Sequence, residues 1–132
     1  MKQFFMLTLI ASLILSTSCS KEDSKEKELV YKWHLIESLN DPGDGSGVFE
    51  KVESDAIIEF YDDNTVLYTE NLCMNGTSYT GKYSLLENKI YPDCRLEPSL
   101  NFRIENNQLI IYYPCVEGCA EKFELVEKSA NS

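Results

Sequence analysis

Over most of the chain, apolar and polar residues alternate in short runs, and turn-forming residues interrupt these runs. In the clearest run, Leu100, Phe102 and Ile104 alternate with polar neighbours. Asn106-Asn107 follows, and it favours a tight hairpin turn because asparagine tolerates positive φ better than most residues. Since successive side chains of a strand point to opposite faces, the pattern predicts strands with one buried and one solvated face.

Eight such runs predict eight strands and no helix. The predicted strands are residues 30–38, 56–61, 65–70, 78–85, 89–91, 100–105, 109–113 and 121–126. Short connections join neighbours of opposite direction, and eight strands can close on themselves, which removes exposed edges. The sequence therefore predicts an all-β, antiparallel, up-and-down eight-stranded barrel, with an open two-sheet sandwich as the alternative. The interior of such a barrel is filled by side chains or holds one small ligand.

The start of the chain has the layout of a secretory signal peptide. Lys2 gives a charged start, an apolar block covers residues 4–15, and the small residues 16–18 precede Cys19. The block is shorter than the roughly 20 apolar residues of a transmembrane helix. We therefore predict residues 1–18 to be a cleaved leader. An ordinary secreted protein that is cut near Ser18 and keeps a free cysteine is the alternative.

The remaining chain divides by composition. Residues 20–28 are small or charged and predict a solvated tether after Cys19. A single barrel domain is predicted over residues 29–128, with a disordered tail over 129–132. Removal of the leader takes away one positive charge and changes the net charge from −10 to −11. So acidic a chain does not hold nucleic acid by charge, whereas a cationic partner suits it.

Strand direction predicts that the long connections share one end of the barrel, which we name the mouth. The mouth connections are residues 39–55, 71–77, 92–99 and 114–120, and the tight turns 62–64, 86–88 and 106–107 lie at the opposite, closed end. All four cysteines of the predicted barrel domain lie in mouth connections, at positions 73, 94, 115 and 119. An even set in an exported chain favours two disulfides, with zinc or free thiols as alternatives. Of the three pairings that four cysteines permit, we favour Cys73–Cys94 and Cys115–Cys119, because the latter two flank one connection.

The predicted mouth is acidic. It contains Asp41, Asp44, Glu50, Glu53, Asp55, Asp93, Glu97 and Glu117, against the basic residues Lys51 and Arg95. Binding sites usually lie in long loops on a rigid scaffold. The predicted ligand contacts are three acids, Asp41, Asp44 and Glu117, and five aromatic side chains predicted to face inward, Trp33, Phe60, Tyr83, Phe102 and Tyr113. Aromatic residues at such positions more often form the core than a ligand cavity.

The remaining polar residues bear on metal binding and catalysis. The carboxylates of loop 41–47 are hard oxygen ligands of the kind that calcium prefers, but the loop lacks the further acids of a helical calcium loop, and a turn-rich loop is the favoured interpretation. His34, the only histidine, alternates with Trp33 and is predicted to point outward. No nucleophile with an activating base and no rigidly held carboxylate pair forms a recognisable motif. The sequence therefore predicts neither an enzyme nor a metal or other cofactor.

Two resemblances add to this interpretation. The segment Leu15-Ser16-Thr17-Ser18-Cys19 resembles the lipobox of bacterial lipoproteins, although Ser16 stands where leucine is preferred. The resemblance implies acylation of Cys19, and several acyl chains hold a protein firmly on a membrane. The motif Lys21-Glu22-Asp23 is similar to the display signal of Bacteroidetes-type surface lipoproteins. It implies an outer-membrane location at the cell surface, with the periplasmic face as the alternative.

The second resemblance covers residues 29–127 and is to bacterial lipocalin-like domains of small Bacteroidetes-type lipoproteins. The segments that carry it are LVYKWHL at 29–35, IEF at 58–60, DNTV at 63–66, GKYS at 81–84 and LIIYY at 109–113. Tyr31 and Asn64 depart from the pattern, since each stands where that group has glycine. With the loop geometry, the resemblance implies a barrel that binds a small amphipathic or cationic ligand at its mouth. The alternative is a protein–protein interaction module with a solid barrel.

Overall fold

The computed structural model describes residues 25–95, 98–116 and 118–130, and these ranges contain strands and turns but no α-helix. The predicted leader and Cys19 lie outside the described residues. The strands are β1 Leu29–Asn40, β2 Phe49–Lys51, β3 Ile57–Tyr61, β4 Thr65–Tyr68, β5 Thr80–Ser84, β6 Lys89–Pro92, β7 Leu100–Glu105, β8 Gln108–Tyr113 and β9 Cys119–Lys128.

The strands form a closed antiparallel barrel. β1 and β3 to β9 pair in chain order, and β1 also pairs with β9, from Tyr31 opposite Lys128 to Asn40 opposite Cys119. Because this last pairing joins the two ends of the meander, the barrel has eight strands and the open sandwich is excluded. β2 is an additional short strand on the edge of β1, with Glu37 opposite Lys51.

Large apolar side chains fill the interior. Trp33, Phe60 and Phe123 are almost completely buried. The ring of Phe60 stacks on that of Tyr83 with 4.4 Å between centroids and meets the ring of Phe102 edge-on at 5.7 Å. Aromatic pairs at these distances add to the stabilisation that burial provides. The middle of the barrel is therefore a packed aromatic core.

Asparagine makes the tight turns of the closed end. Asn106 and Asn107 have φ values of 51° and 58°, as a two-residue hairpin of this kind requires. Asn64, which stands where the lipocalin-like pattern has glycine, adopts φ of 62°, so the turn forms without glycine. Tyr31, the other departure, packs its ring 5.7 Å from that of Trp33.

The structure corrects three details of the predicted strands. Residues 49–51 were expected in a loop, but they form β2 by pairing with the part of β1 beyond its contact with β3. Ile104 lies opposite the buried Leu109 and so on the inner face, yet it is 36% exposed because it is close to the closed-end rim. Ile110 alternates with the inward-facing Leu109 and Ile111 and so lies on the outer face of the predicted strand 109–113. It is nevertheless buried, since Lys122 lies directly opposite and its stem can cover it.

Replacing Phe123 tests the core of the closing strand. We expect Phe123→Ala to lower the free energy of unfolding by about 3–5 kcal/mol, because the cavity adds to the lost burial. Val126→Ala is the matched control: Val126 lies on the same strand but is 55% exposed, and its replacement should change stability by no more than about 0.5 kcal/mol. Urea denaturation followed by Trp33 fluorescence measures both, and equal losses would contradict the assigned burial.

Candidate functional site at the barrel mouth

The antiparallel order places the four long connections at one end of the barrel, as predicted. In the structure these mouth connections join β1 to β3, β4 to β5, β6 to β7 and β8 to β9, and the first of them contains β2. The backbone N–H of Asp41 donates to the carbonyl of Gly118 at 3.0 Å and so joins the first connection to the last. The mouth is therefore a set of mutually tied loops on a rigid scaffold.

Both disulfides lie at the mouth with the predicted pairing. Cys73 bonds Cys94 and joins two mouth connections, whereas Cys115 bonds Cys119 and closes a single connection. The zinc and free-thiol alternatives therefore fail for these four cysteines. Within the three described ranges, no group of His, Cys, Asp and Glu side chains is arranged to hold a metal ion.

The carboxylate of Asp41 is used within its own loop. It accepts hydrogen bonds from the backbone N–H groups of Gly43, Gly45 and Gly47 at 2.7, 3.1 and 2.9 Å. The bonds from Gly47 and Gly43 lower the pKa of Asp41 most strongly. Asp44 similarly accepts from the N–H of Ser46. Because N–H donors surround these oxygens, the geometry favours the turn-rich loop over a calcium site.

A carboxylate that the sequence analysis did not select lies inside the mouth. Glu121 Oε2 accepts hydrogen bonds from the hydroxyl groups of Tyr68 at 3.1 Å and Tyr113 at 2.5 Å. Glu121 alternates with Phe123 and Leu125, both of which contribute to the core, so its inward direction follows from the strand period. That alternation within the predicted strand 121–126 is the sequence signal from which the inward direction of Glu121 could have been predicted.

Burial controls the ionisation of this cluster. Desolvation raises the pKa of Glu121 above its ordinary value, although the two tyrosine hydrogen bonds oppose the increase. The negative charge of Glu70 raises the pKa of Glu121 further. Desolvation is also the main cause of the raised pKa values of Tyr68 and Tyr113, so both hydroxyls are protonated donors at neutral pH.

Glu121 has no cationic partner among the described residues: no lysine, arginine or histidine nitrogen lies within ion-pair distance of it. The adjacent Lys122 points outward, where it forms an ion pair with Glu37 and lies 4.1 Å from the ring centroid of Phe49. Along the strand, the inward carboxylate of Glu121 is thus followed directly by the outward ammonium group of Lys122. The interior of the mouth keeps the uncompensated negative charge.

The structure separates the predicted contact residues into groups. Trp33, Phe60, Tyr83 and Phe102 belong to the packed core, and solvent reaches less than a tenth of each. Tyr113 lies at the mouth beside Glu121, whereas Asp41 and Asp44 bond within their loop. Glu117 lies outside the described residues. A ligand role for all eight residues stays a prediction, and the cluster of Glu121, Tyr68 and Tyr113 extends it.

A second polar feature lies on the outer face of the barrel. His34 points outward, as predicted, into a groove of about 560 Å³. Its Nε2 lies 2.6 Å from the carbonyl oxygen of Ser54, and its Nδ1 lies 3.4 Å from Glu124 Oε1. The Ser54 carbonyl and Glu124 raise the pKa of His34. These contacts give the histidine a structural role, which is to hold the segment before β3 against β1.

Comparison of the chain with protein-family models, curated proteins and solved structures finds no match. No helix in residues 25–95, 98–116 or 118–130 is long and apolar enough to cross a membrane. The functional interpretation therefore rests on the geometry of the mouth.

The two disulfides should differ in their contribution to stability. Cys73 and Cys94 are 21 residues apart, whereas Cys115 and Cys119 are four apart. Since the entropy of the unfolded chain falls more when a longer loop is closed, we expect Cys73→Ser/Cys94→Ser to cost about 3 kcal/mol and Cys115→Ser/Cys119→Ser about 2 kcal/mol. Denaturation of the two double variants measures this. A larger loss from the short loop would refute the entropic ordering.

The partly buried carboxylate of Glu121 predicts a pH dependence of stability. Because the pKa of Glu121 is higher in the folded than in the unfolded state, the free energy of unfolding should fall as the pH rises from the ordinary value of 4.5 through the raised pKa. Glu121→Gln should remove this fall. The free energies of unfolding of the wild type and of Glu121→Gln are measured by denaturation from about pH 4 to pH 8. Because His34 titrates in both proteins, its contribution cancels in their difference, which isolates the contribution of Glu121. Parallel stability curves would show that Glu121 is not desolvated.

Proposed function

We propose that this protein is a lipid-anchored, lipocalin-like binding module whose mouth takes up a small cationic, amphipathic molecule. The observation that carries the proposal is the inward carboxylate of Glu121, which has no cationic partner among the described residues. A carboxylate in a partly dehydrated site interacts more strongly with a cation than one in water. An ammonium group of the ligand would supply the missing charge.

The neighbouring side chains suit an amphipathic cation. Tyr68 and Tyr113 hold the carboxylate through their hydroxyl groups, and their rings are apolar surfaces that also attract cations. Glu70 adds a second negative charge close to Glu121. The packed core below leaves the ligand's apolar part at the mouth and not in the centre of the barrel. This positions the proposed site at the rim, beside Tyr113.

The sequence supports the cellular part of the proposal. The lipobox-like segment before Cys19 and the similarity of Lys21-Glu22-Asp23 to a display signal favour acylation and placement on the outer membrane at the cell surface. An acidic surface protein can attract cations by long-range electrostatics, and this attraction weakens with salt. Ligand capture should therefore be fastest at low ionic strength.

A binding titration tests the proposed site. Polyamines and long-chain alkylammonium ions, titrated by calorimetry and native mass spectrometry, should include at least one binder. We expect Glu121→Gln to weaken its binding about 10- to 100-fold, because a hydrogen-bonded charge interaction is lost. Glu127→Gln is the matched control, since Glu127 is an exposed glutamate on the same strand. Binding by the wild type should also weaken as the pH falls through the raised pKa of Glu121.

Two results would refute the cation site. The first is that no member of the panel binds the wild-type protein. The second is that Glu121→Gln and Glu127→Gln reduce binding equally, which would make the interaction a general effect of net charge.

A protein–protein role is the second candidate function. It is favoured by the packed core and by apolar side chains on the mouth connections, since Val116 is fully exposed and Val48 is 67% exposed. Such side chains can anchor a partner in an interface. Crosslinking in intact envelopes distinguishes the protein–protein role from small-molecule binding. A stoichiometric partner that crosslinks to the wild type but not to Val48→Asp/Val116→Asp supports the protein–protein role. Recovery of no partner contradicts it.

A further inference from the structure

The chain that precedes the barrel is held at the closed end. The N–H of Glu28 donates to Asp62 Oδ1 at 2.8 Å, and the N–H of Asp62 donates to the carbonyl of Glu28 at 2.9 Å. Lys25 forms an ion pair with Asp62 at 3.5 Å, and Lys27 lies 4.3 Å from the ring centroid of Tyr61. The N-terminal segment therefore enters the barrel at the end opposite the acidic mouth.

The same end exposes a pair of leucines. Leu86 is 94% exposed and Leu85 is 47% exposed in the turn between β5 and β6. Turn tips normally carry small or polar residues, so two adjacent leucines there require an explanation. A surface depression lined by Asp63, Asn64 and both leucines connects this turn to the turn that follows β3. The leucines therefore lie close to the point where the N-terminal segment is held.

Lysines surround these leucines. Lys82 and Lys89 flank the turn in the sequence. Hydrogen bonds from Thr65 lower the pKa of Asp63 most strongly, and the nearby charge of Lys82 lowers it further. Lys27 acts on Asp63 in the same direction. Ammonium groups thus offset Asp62 and Asp63, whereas Glu87, in the same turn as the leucines, accepts a hydrogen bond from the hydroxyl of Tyr91. An apolar tip with flanking lysines fits a bilayer interface, where acyl chains meet anionic phosphates.

We propose that the closed end is a membrane-contacting surface and that Leu85 and Leu86 insert into the interface of the anchoring bilayer. This inference rests on acylation of Cys19, which belongs to the proposed function. The six residue steps from Cys19 to Lys25 span at most about 20 Å, so the anchor keeps the closed end close to the lipid. The leucine pair then forms a second, non-covalent contact. As a consequence, the acidic mouth faces away from the membrane.

Tryptophan substitutions test this orientation. The full lipidated chain with Leu86→Trp is reconstituted into phosphatidylethanolamine–phosphatidylglycerol vesicles, with and without bromine atoms on the acyl chains, which quench tryptophan on contact. Val48→Trp is the matched control, because Val48 is an exposed apolar residue at the mouth. Trp33 is buried and gives the wild-type baseline. We expect a blue shift and a loss of fluorescence in brominated vesicles for Leu86→Trp, and neither change for Val48→Trp.

Each other outcome overturns the inference in a recognisable way. If the protein floats with the vesicles but Leu86→Trp is not quenched, the anchor stands and the leucine contact is wrong. If both variants are quenched alike, the closed end is not selectively oriented toward lipid. If the purified chain carries no acyl group and does not float, the anchoring part of the proposed function fails and the contact fails with it.

Discussion

Pairing between β1 and β9 is the interaction on which the rest of the structure depends. β1 has twelve residues, so its first half can pair with β3 and its second half with β2 while the other edge follows β9. The register with β9 shifts between Lys32 and Trp33 and again between Leu35 and Glu37. Irregularities of this kind bend a strand and increase its twist, which closure of a barrel requires. Without the pairing, β1 and β9 would each leave an unpaired edge.

Closure also creates the environment of Glu121. In an open sheet this carboxylate would be solvated, whereas the barrel surrounds it with Tyr68 from β4 and Tyr113 from β8. The period of the strand puts the next residue, Lys122, on the outside, where it interacts with Glu37 and Phe49. One strand thus separates a negative interior from a compensated exterior. This separation is the physical basis for the cation site that we propose at the mouth.

Much of the fold could be predicted because its signals are local. Alternation defined the eight barrel strands, asparagines marked the hairpins, and the position of the cysteines in the meander led to the observed pairing. β2 could not be predicted, since three residues have no pattern of their own and depend on the edge of β1. The environment of Glu121 depends on Tyr68, 53 residues away, so no local pattern contains it. The hydrogen bonds that the carboxylate of Asp41 accepts within its own loop likewise depend on the path of the loop backbone.

Nuclear Overhauser effects across the closing strand pair test the barrel most directly. For a closed barrel, backbone protons of Trp33 should show contacts with those of Leu125, Leu35 with Phe123, and Leu39 with Ala120, as the register requires. The amides of both strands should also exchange slowly with solvent. If β1 instead shows contacts only with β2 and β3, and β9 only with β8, the barrel is open, and neither the partly buried carboxylate of Glu121 nor a binding role at the mouth follows.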